Sequence, residues 1–168
     1  MGELKYYEEE VLSVSAGKTI EFIDKYKIHA CPYDNAHRYK KFIFITFRRS
    51  KDEKNGYEGG EMEVLYKALG DTLILNPYNQ GYEDIIREKY SNISPEYVNR
   101  LINYINDRMN AHEFEKNMDF KFYILSETDY IRLNNKPIPI NKNNSYKVYY
   151  DLSELLSGKK KVKSNSKA

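Results

Sequence analysis

Basic residues flank a short apolar segment, residues 42–47, at both of its ends. Arg38 and Lys40 precede the segment, and Arg48 and Arg49 follow it. Its six residues are too few to span a membrane and are rich in aromatic and β-branched types, which predicts a strand buried on both faces. Cations at the ends of such a strand lie at the rim of a sheet, where they can hold an anion.

Two tyrosines near this segment, Tyr33 and Tyr39, add an apolar surface to the charge. A tyrosine ring is apolar while its hydroxyl stays hydrated, so it can stack on a base at a protein surface. We therefore expect the four basic side chains to contact phosphates and the two tyrosines to stack on bases.

Residues 95–110 carry the sequence signals of a helix. Ser94 is a favoured N-cap, Pro95 suits the first helical position, and Glu96 suits the positive end of the helix dipole. Apolar residues recur at helical spacing and predict one buried stripe, made of Val98, Leu101, Ile102, Ile105 and Met109.

Opposite this stripe, Arg100, Tyr104 and Arg108 follow one another at intervals of four residues. Such a row can bind phosphates through its arginines while Tyr104 stacks on a base. The alternative interpretation is an ordinary solvated helix face, which Asp107 beside Arg108 favours.

Asp119 and Lys121, at the head of a predicted strand, have the acid-x-Lys spacing of the restriction-nuclease core. In that core, acids on adjacent strands hold a divalent metal, and the lysine helps to activate water or to stabilise charge on the phosphate. Asp71, just before another predicted strand, would supply the missing acid, and Mg²⁺ would be the metal. The same spacing arises by chance in lysine-rich chains, so the nuclease is an alternative to the favoured function.

Two further patterns do not support a cofactor. A Gly-Lys-Thr sequence at 17–19 ends like a phosphate-binding P-loop, but Leu12 occupies the position where that loop needs a glycine. His29, Cys31 and His37 lie within nine positions, yet a zinc site usually needs a further ligand. We expect a half-buried cysteine and two turn histidines there, with no metal.

The charge of this 168-residue chain is unevenly distributed. Residues 159–168 contain five lysines and no acid, so residues 1–158 hold 22 basic and 25 acidic side chains, a net charge of −3. This balance argues against a strong, non-specific polyanion binder. We expect one globular domain over 1–158 and a disordered basic tail over 159–168, which can add phosphate attraction.

The single cysteine, Cys31, allows no intrachain disulfide and favours a reducing compartment. The acidic N-terminal residues lack the apolar stretch of a signal peptide, and no apolar run approaches the length of a membrane helix. We therefore expect a cytoplasmic protein without a membrane partner.

Hydrophobic periodicity along the chain predicts an α+β protein. The strand at 42–48 and the alternating segment 61–67 are expected to pair as a hairpin with a long polar loop. Residues 18–26 fit a short helix or a strand, and residues 30–35 fit a turn. The other predicted strands are 11–15, 72–75, 120–125 and 146–150, and the other predicted helices are 82–90 and 151–156.

Two parts of the chain resemble the small barrel modules related to the PUA fold, including the EVE and ASCH types. The first is the strand within 38–47 followed, after the polar loop, by the aliphatic and aromatic residues of 63–69. The second comprises 122–125, 133–138 and 146–150, which are similar to the closing strand pair of those barrels. The resemblance implies a strongly bent mixed or antiparallel sheet or small β-barrel, with one long packed helix. It also implies RNA or DNA binding, often beside defence (restriction) or RNA-modification systems.

From the sequence we favour a nucleic-acid-binding module without catalysis of its own, which needs no cofactor. The metal-dependent nuclease is the first alternative. The second is a protein-interaction subunit, in which exposed members of the 17 tyrosines form an interface with a protein partner.

Overall fold

The computed structural model describes residues 8–90, 94–114, 116–141 and 145–165, except for the side chain of Asp71. This part of the chain is α+β, and its main sheet is mixed and strongly curled, which confirms the predicted fold class. The strands are β1 (Glu9–Ser15), β2 (Ile28–Pro32), β3 (Phe42–Arg48), β4 (Val64–Leu75), β5 (Phe120–Arg132), β6 (Ile138–Pro139), β7 (Lys147–Tyr150) and β8 (Lys161–Val162). The helices are α1 (Ile20–Tyr26), α2 (Tyr82–Tyr90), α3 (Pro95–Asn110) and α4 (Leu152–Leu155).

The chain divides into two compact units. Unit 1 takes the described residues within Met1–Ile20, Tyr39–Ala68 and Ser126–Ala168, and unit 2 takes those within Glu21–Arg38 and Leu69–Leu125. The main sheet has the strand order β2-β5-β4-β3-β1-β7. The expected single domain over 1–158 stays a prediction.

Unit 1 is built around β3, which is buried on both faces. Ile45 and Thr46 are fully buried, and Phe44 and Phe47 are nearly so. β3 pairs in parallel with β1 and antiparallel with β4, while β1 also pairs antiparallel with β7. The buried strand at 42–48 and its long-looped hairpin are therefore confirmed. The core around these strands contains Val11, Phe44, Met62, Leu65, Leu133, Tyr150, Leu155 and Val162.

Residues 159–165, which we call the C-terminal segment, are not the disordered tail that their lysines predict. Its β8 pairs in parallel with β6, with Lys161 opposite Ile138. Val162 is 1 % exposed and belongs to the core of unit 1. One inward-facing valine and a backbone partner order the segment, and neither is visible in a charge count. Lys167 and the rest of 166–168 lie outside the described residues.

Unit 2 is organised by α3, which confirms the predicted helix over 95–110. Four of the five residues of its apolar stripe are buried as expected, together with Ile86 of α2 and Phe122 of β5, and the fifth, Met109, is partly buried. Ser94 occupies the N-cap position with extended backbone, but its side chain makes no capping hydrogen bond, contrary to the prediction. The helix start therefore depends on Pro95 and on packing of the stripe.

Two strands differ from their predictions. β2 runs through residues 30–32, where a turn was expected, because pairing with β5 and burial of Ile28 and Ala30 outweigh the turn preference of this sequence. The strands predicted separately at 61–67 and 72–75 are joined, from Val64 onward, in the single strand β4. It passes Gly70 at a φ of +38°, which glycine adopts without a Cβ clash.

The ambiguous segment 18–26 forms a 3₁₀ turn followed by α1. Among the described helices, none is both long and apolar enough to cross a membrane.

Candidate anion-binding site

Arg48 is the last residue of β3 and the centre of the candidate site. It lies opposite Ser15 in the parallel ladder with β1 and forms an antiparallel bridge with Met62. Although arginine is rarely buried, Arg48 is only 6 % exposed. The continuous pairing of β3 brings this charged side chain into unit 1 at the rim of the sheet.

The Arg48 guanidinium is fixed by backbone carbonyls, and no acidic side chain pairs with it among the residues that the structure describes. Its Nη2 donates to the carbonyl oxygens of Ser145, at 2.6 Å, and Tyr146, at 3.0 Å. Its buried Nη1 has no hydrogen-bond partner in the described part of the chain. Burial lowers the pKa of this guanidinium, and the Tyr150 hydroxyl opposes that shift. The group nevertheless stays charged, since arginine does not deprotonate in proteins.

An unpaired buried cation is energetically costly, which gives Arg48 an affinity for anions. Desolvating a charge without pairing it costs several kcal/mol, and a buried N–H without an acceptor adds to that cost. An anion that reaches Nη1 would supply both the missing charge and the missing acceptor.

Two pockets share Arg48 as part of their walls. The first, of about 380 Å³, lies beside the loop between β3 and β4 and is here called the loop pocket. The second, of about 350 Å³, is walled by the C-terminal segment and is here called the segment pocket. Both belong entirely to unit 1.

Most cations of the loop pocket already have acidic partners. Arg49 forms an ion pair with Glu63 and lies over the ring of Tyr57, 4.9 Å from its centroid. Lys51 pairs with Glu53 at 3.3 Å on the exposed surface. The predicted phosphate contact at Arg49 is therefore in competition with a carboxylate.

The wall of the loop pocket is shaped by Gly59 and Gly60, which have φ values of +110° and +91°. The Glu61 carboxylate accepts the backbone N–H groups of Glu58, at 2.8 Å, and Gly59, at 2.7 Å. Burial pulls the pKa of Glu61 upward, but these two N–H groups, the N–H of Glu61 itself and the Lys160 charge together outweigh burial and lower the pKa. An ionised Glu61 thus holds the loop in place.

The segment pocket differs from the loop pocket in its charge. Its described lining contains two cations, Arg48 and Lys163, and no acid. Asn141, Ser164 and the buried Tyr150 add polar groups to this wall. This pocket therefore combines an unpaired guanidinium with a second positive charge.

Tyr39 and Lys40 lie in unit 1 but are already engaged. The Tyr39 ring stacks on Tyr146, with centroids 6.3 Å apart, and the two hydroxyls are 2.8 Å apart. Lys40 forms an ion pair with the buried Glu9 at 3.8 Å and lies over the Tyr149 ring at 5.6 Å. The structure thus brings Arg48 and Arg49 to one pocket, whereas Tyr39 and Lys40 make contacts of their own.

The remaining predicted contacts, Tyr33, Arg38, Arg100 and Tyr104, belong to unit 2. Tyr33 is 56 % exposed, Arg38 is also exposed, and Arg100 is half-buried over the ring of Tyr97. The predicted set therefore does not form a single site within one unit.

The predicted exposed row on α3 is wrong for Tyr104 and Arg108, which are 1 % and 4 % exposed. Arg108 Nη1 donates to the Tyr104 hydroxyl at 2.9 Å, and its guanidinium lies 4.1 Å from the centroid of Phe114. Tyr104 also meets Phe22 edge to face. Aromatic side chains from other elements cover this helix face, so Tyr104 has no surface to offer a base.

The nuclease residues do not form a metal site in the described structure. Asp119 is exposed at the head of β5, and the Lys121 ammonium lies over the Tyr123 ring at 5.5 Å. Asp71 lies in β4, and its side chain is outside the described residues. Among the side chains that are described, no three His, Cys, Asp or Glu residues cluster as metal ligands. The Mg²⁺ of the nuclease alternative stays a prediction.

Sequence reasoning found Arg48 but missed the residues that complete its surroundings. The carbonyls of Ser145 and Tyr146 lie almost a hundred positions along the chain, and no local pattern connects them to β3. Lys163 was expected in a disordered tail. The available signal was Val162, a lone apolar residue among lysines.

Comparisons with protein-family models, curated proteins and solved structures found no match to this chain. The resemblance to PUA-like modules therefore stays a prediction, and the function rests on the chemistry of the site.

Proposed function

We propose that unit 1 is a nucleic-acid-binding module without catalysis of its own, in which Arg48 holds a phosphate. The unpaired Nη1 of the buried Arg48 is the observation that supports this proposal. A phosphate in either adjoining pocket would relieve the cost of the unpaired charge. The planar fork of arginine also matches phosphate oxygens.

The charges around this site favour modest affinity that depends on salt. Lys51 is 68 % exposed on its side chain, and Lys163 is also exposed. Each lysine that neutralises a phosphate releases counterions and steepens the salt dependence of binding. Because the chain as a whole carries only +2, we expect no strong binding to polyanions in general.

The test is fluorescence anisotropy with single- and double-stranded DNA and RNA at low and moderate salt, with EDTA or Mg²⁺. Arg48→Gln should weaken binding about tenfold or more, because it removes a charge-assisted hydrogen bond. Arg49→Gln is the matched control, since it removes the same charge at the adjacent position. We expect it to change binding less than about threefold, because Arg49 already pairs with Glu63.

Thermal unfolding of both variants shows whether they remain folded at the assay temperature. If Arg48→Gln is folded and binds as the wild type does, the proposal is wrong. Mg²⁺-dependent cleavage that Lys121→Ala abolishes would replace it with the nuclease. A defined assembly that binds no nucleic acid would replace it with the protein-interaction subunit.

A further inference from the structure

We infer that the group bound at Arg48 is a terminal phosphate, a phosphate monoester, which enters the segment pocket between Arg48 and Lys163. This inference rests on the proposed function and names the part of the nucleic acid that is recognised. Any phosphate monoester could make the same contacts, and we assign the bound group to the end of a nucleic-acid strand.

The burial of Arg48 excludes most of the contacts that an internal phosphate makes. An internal phosphodiester carries a nucleoside on both sides, so it is best bound by side chains that project from a surface. Arg48 is only 6 % exposed, and its guanidinium is held back by the Ser145 and Tyr146 carbonyls. A terminal phosphate carries only one ester substituent and can enter a pocket with its free oxygens leading.

The distribution of charge favours the segment pocket over the loop pocket. A phosphate monoester carries nearly two negative charges at neutral pH, so it is best matched by two cations in a pocket wall that contains no acid. The segment pocket offers Arg48 and Lys163, with no acid in its described lining. The loop pocket includes Glu58, and its Arg49 is paired with Glu63.

The fold holds Lys163 in this wall by contacts of its backbone and its neighbours. Its N–H donates to the Glu154 carboxylate at 2.8 Å, and the preceding Val162 is buried. Two residues on, the Asn165 N–H donates to the Tyr149 carbonyl at 3.0 Å. The carboxylate of Glu154 also accepts a hydrogen bond from the Lys159 ammonium at 3.2 Å. The negative charge of Glu154 is therefore already compensated by a neighbouring lysine.

The size and polarity of the pocket suit a nucleotide end. About 350 Å³ lies within the usual range for small-molecule sites, from about 300 Å³ upward. Pro139, Ile140 and Val148 supply an apolar side, while Asn141 and Ser164 supply polar groups. A phosphate at Arg48 would thus leave apolar wall for the attached nucleoside.

The experiment compares short single-stranded DNA and RNA bearing a phosphate or a hydroxyl at one end and fluorescein at the other. The full chain, Lys163→Gln and Lys161→Gln are titrated by anisotropy at low salt. Lys161 is the matched control, because it is exposed in the same segment and does not line the pocket. We expect the wild type to prefer the phosphorylated end by about tenfold, the factor of one charge-assisted hydrogen bond.

Loss of that preference in Lys163→Gln, with its retention in Lys161→Gln, would support the inference. If the phosphorylated and the hydroxyl-ended oligonucleotides bind equally, and Arg48→Gln still weakens binding, the inference is wrong but the proposed function stands. Equal losses in the two lysine variants would overturn the assignment to the segment pocket. Thermal stabilisation by inorganic phosphate or a mononucleotide, without oligonucleotide binding, would overturn the nucleic-acid source and support a small phosphate ester.

Discussion

Replacing Val162 with alanine tests whether the C-terminal segment is part of the folded protein. The substitution removes two methyl groups from a side chain that is 1 % exposed in the core of unit 1. At about 0.8 kcal/mol for each buried carbon, Val162→Ala should lower the free energy of unfolding by about 1.6 kcal/mol before any cavity term.

Urea unfolding followed by far-ultraviolet circular dichroism measures this effect. With a slope of roughly 1–3 kcal/mol/M, the midpoint should fall by roughly 0.5–1.6 M while the slope stays unchanged. The control is Lys161→Ala, which alters an exposed side chain of the same short strand. Lys161→Ala should change the free energy of unfolding by no more than about 0.5 kcal/mol. If the two variants unfold at the same urea concentration as the wild type, the segment is undocked and the argument for Lys163 fails with it.

Three further substitutions test other parts of the structure. Burial and the neighbouring Arg108 and His37 charges lower the pKa of His29 from 6.5 to about 3, so the unfolded chain gains a proton first as pH falls. Stability should drop by about 1.4 kcal/mol per pH unit between these values, and His29→Gln should remove that part of the slope in urea titrations. Gly60→Ala should lower the free energy of unfolding by at least about 1–2 kcal/mol in the same assay, because its φ is +91° and its new Cβ would lie 3.1 Å from Pro139. Gly56→Ala should lower it less, because the space around Gly56 is open. Tyr104→Phe should cost about 1–3 kcal/mol by leaving a buried Arg108 donor unpaired, whereas the same change at an exposed tyrosine would cost less than about 0.5 kcal/mol.

The sequence predicted the elements that depend on their own periodicity. The strand β3 has a continuous apolar run, and α3 has an apolar stripe with Pro95 at its start, so both were placed within a residue or two. The boundaries that depend on distant partners were wrong. β2 is a strand because it pairs with β5, some ninety residues away, and the Pro-Tyr-Asp-Asn sequence that begins at its last residue, Pro32, carries only a local turn preference.

Only the positive charge of the candidate site could be predicted from the sequence. Arg48 stood out as a cation beside a buried strand, but its burial and its unpaired Nη1 depend on how β1, β3 and β7 assemble. The face of α3 shows the reverse error. Arg100, Tyr104 and Arg108 have polar or amphipathic side chains, and only the aromatic residues that cover them show that two of the three are buried.

The interleaving of the two units along the chain sets an order in which they can be completed during synthesis. Unit 2 has all of its segments once residue 125 has left the ribosome. Unit 1 cannot close until much later, because β1 needs β7, with Val11 opposite Tyr150, and Glu9 needs Asn165. Its first strand must therefore wait for its last partners while the nascent chain already contains every segment of unit 2. An exposed β1 in that interval is a free sheet edge, open to pairing with other chains until the last strands arrive.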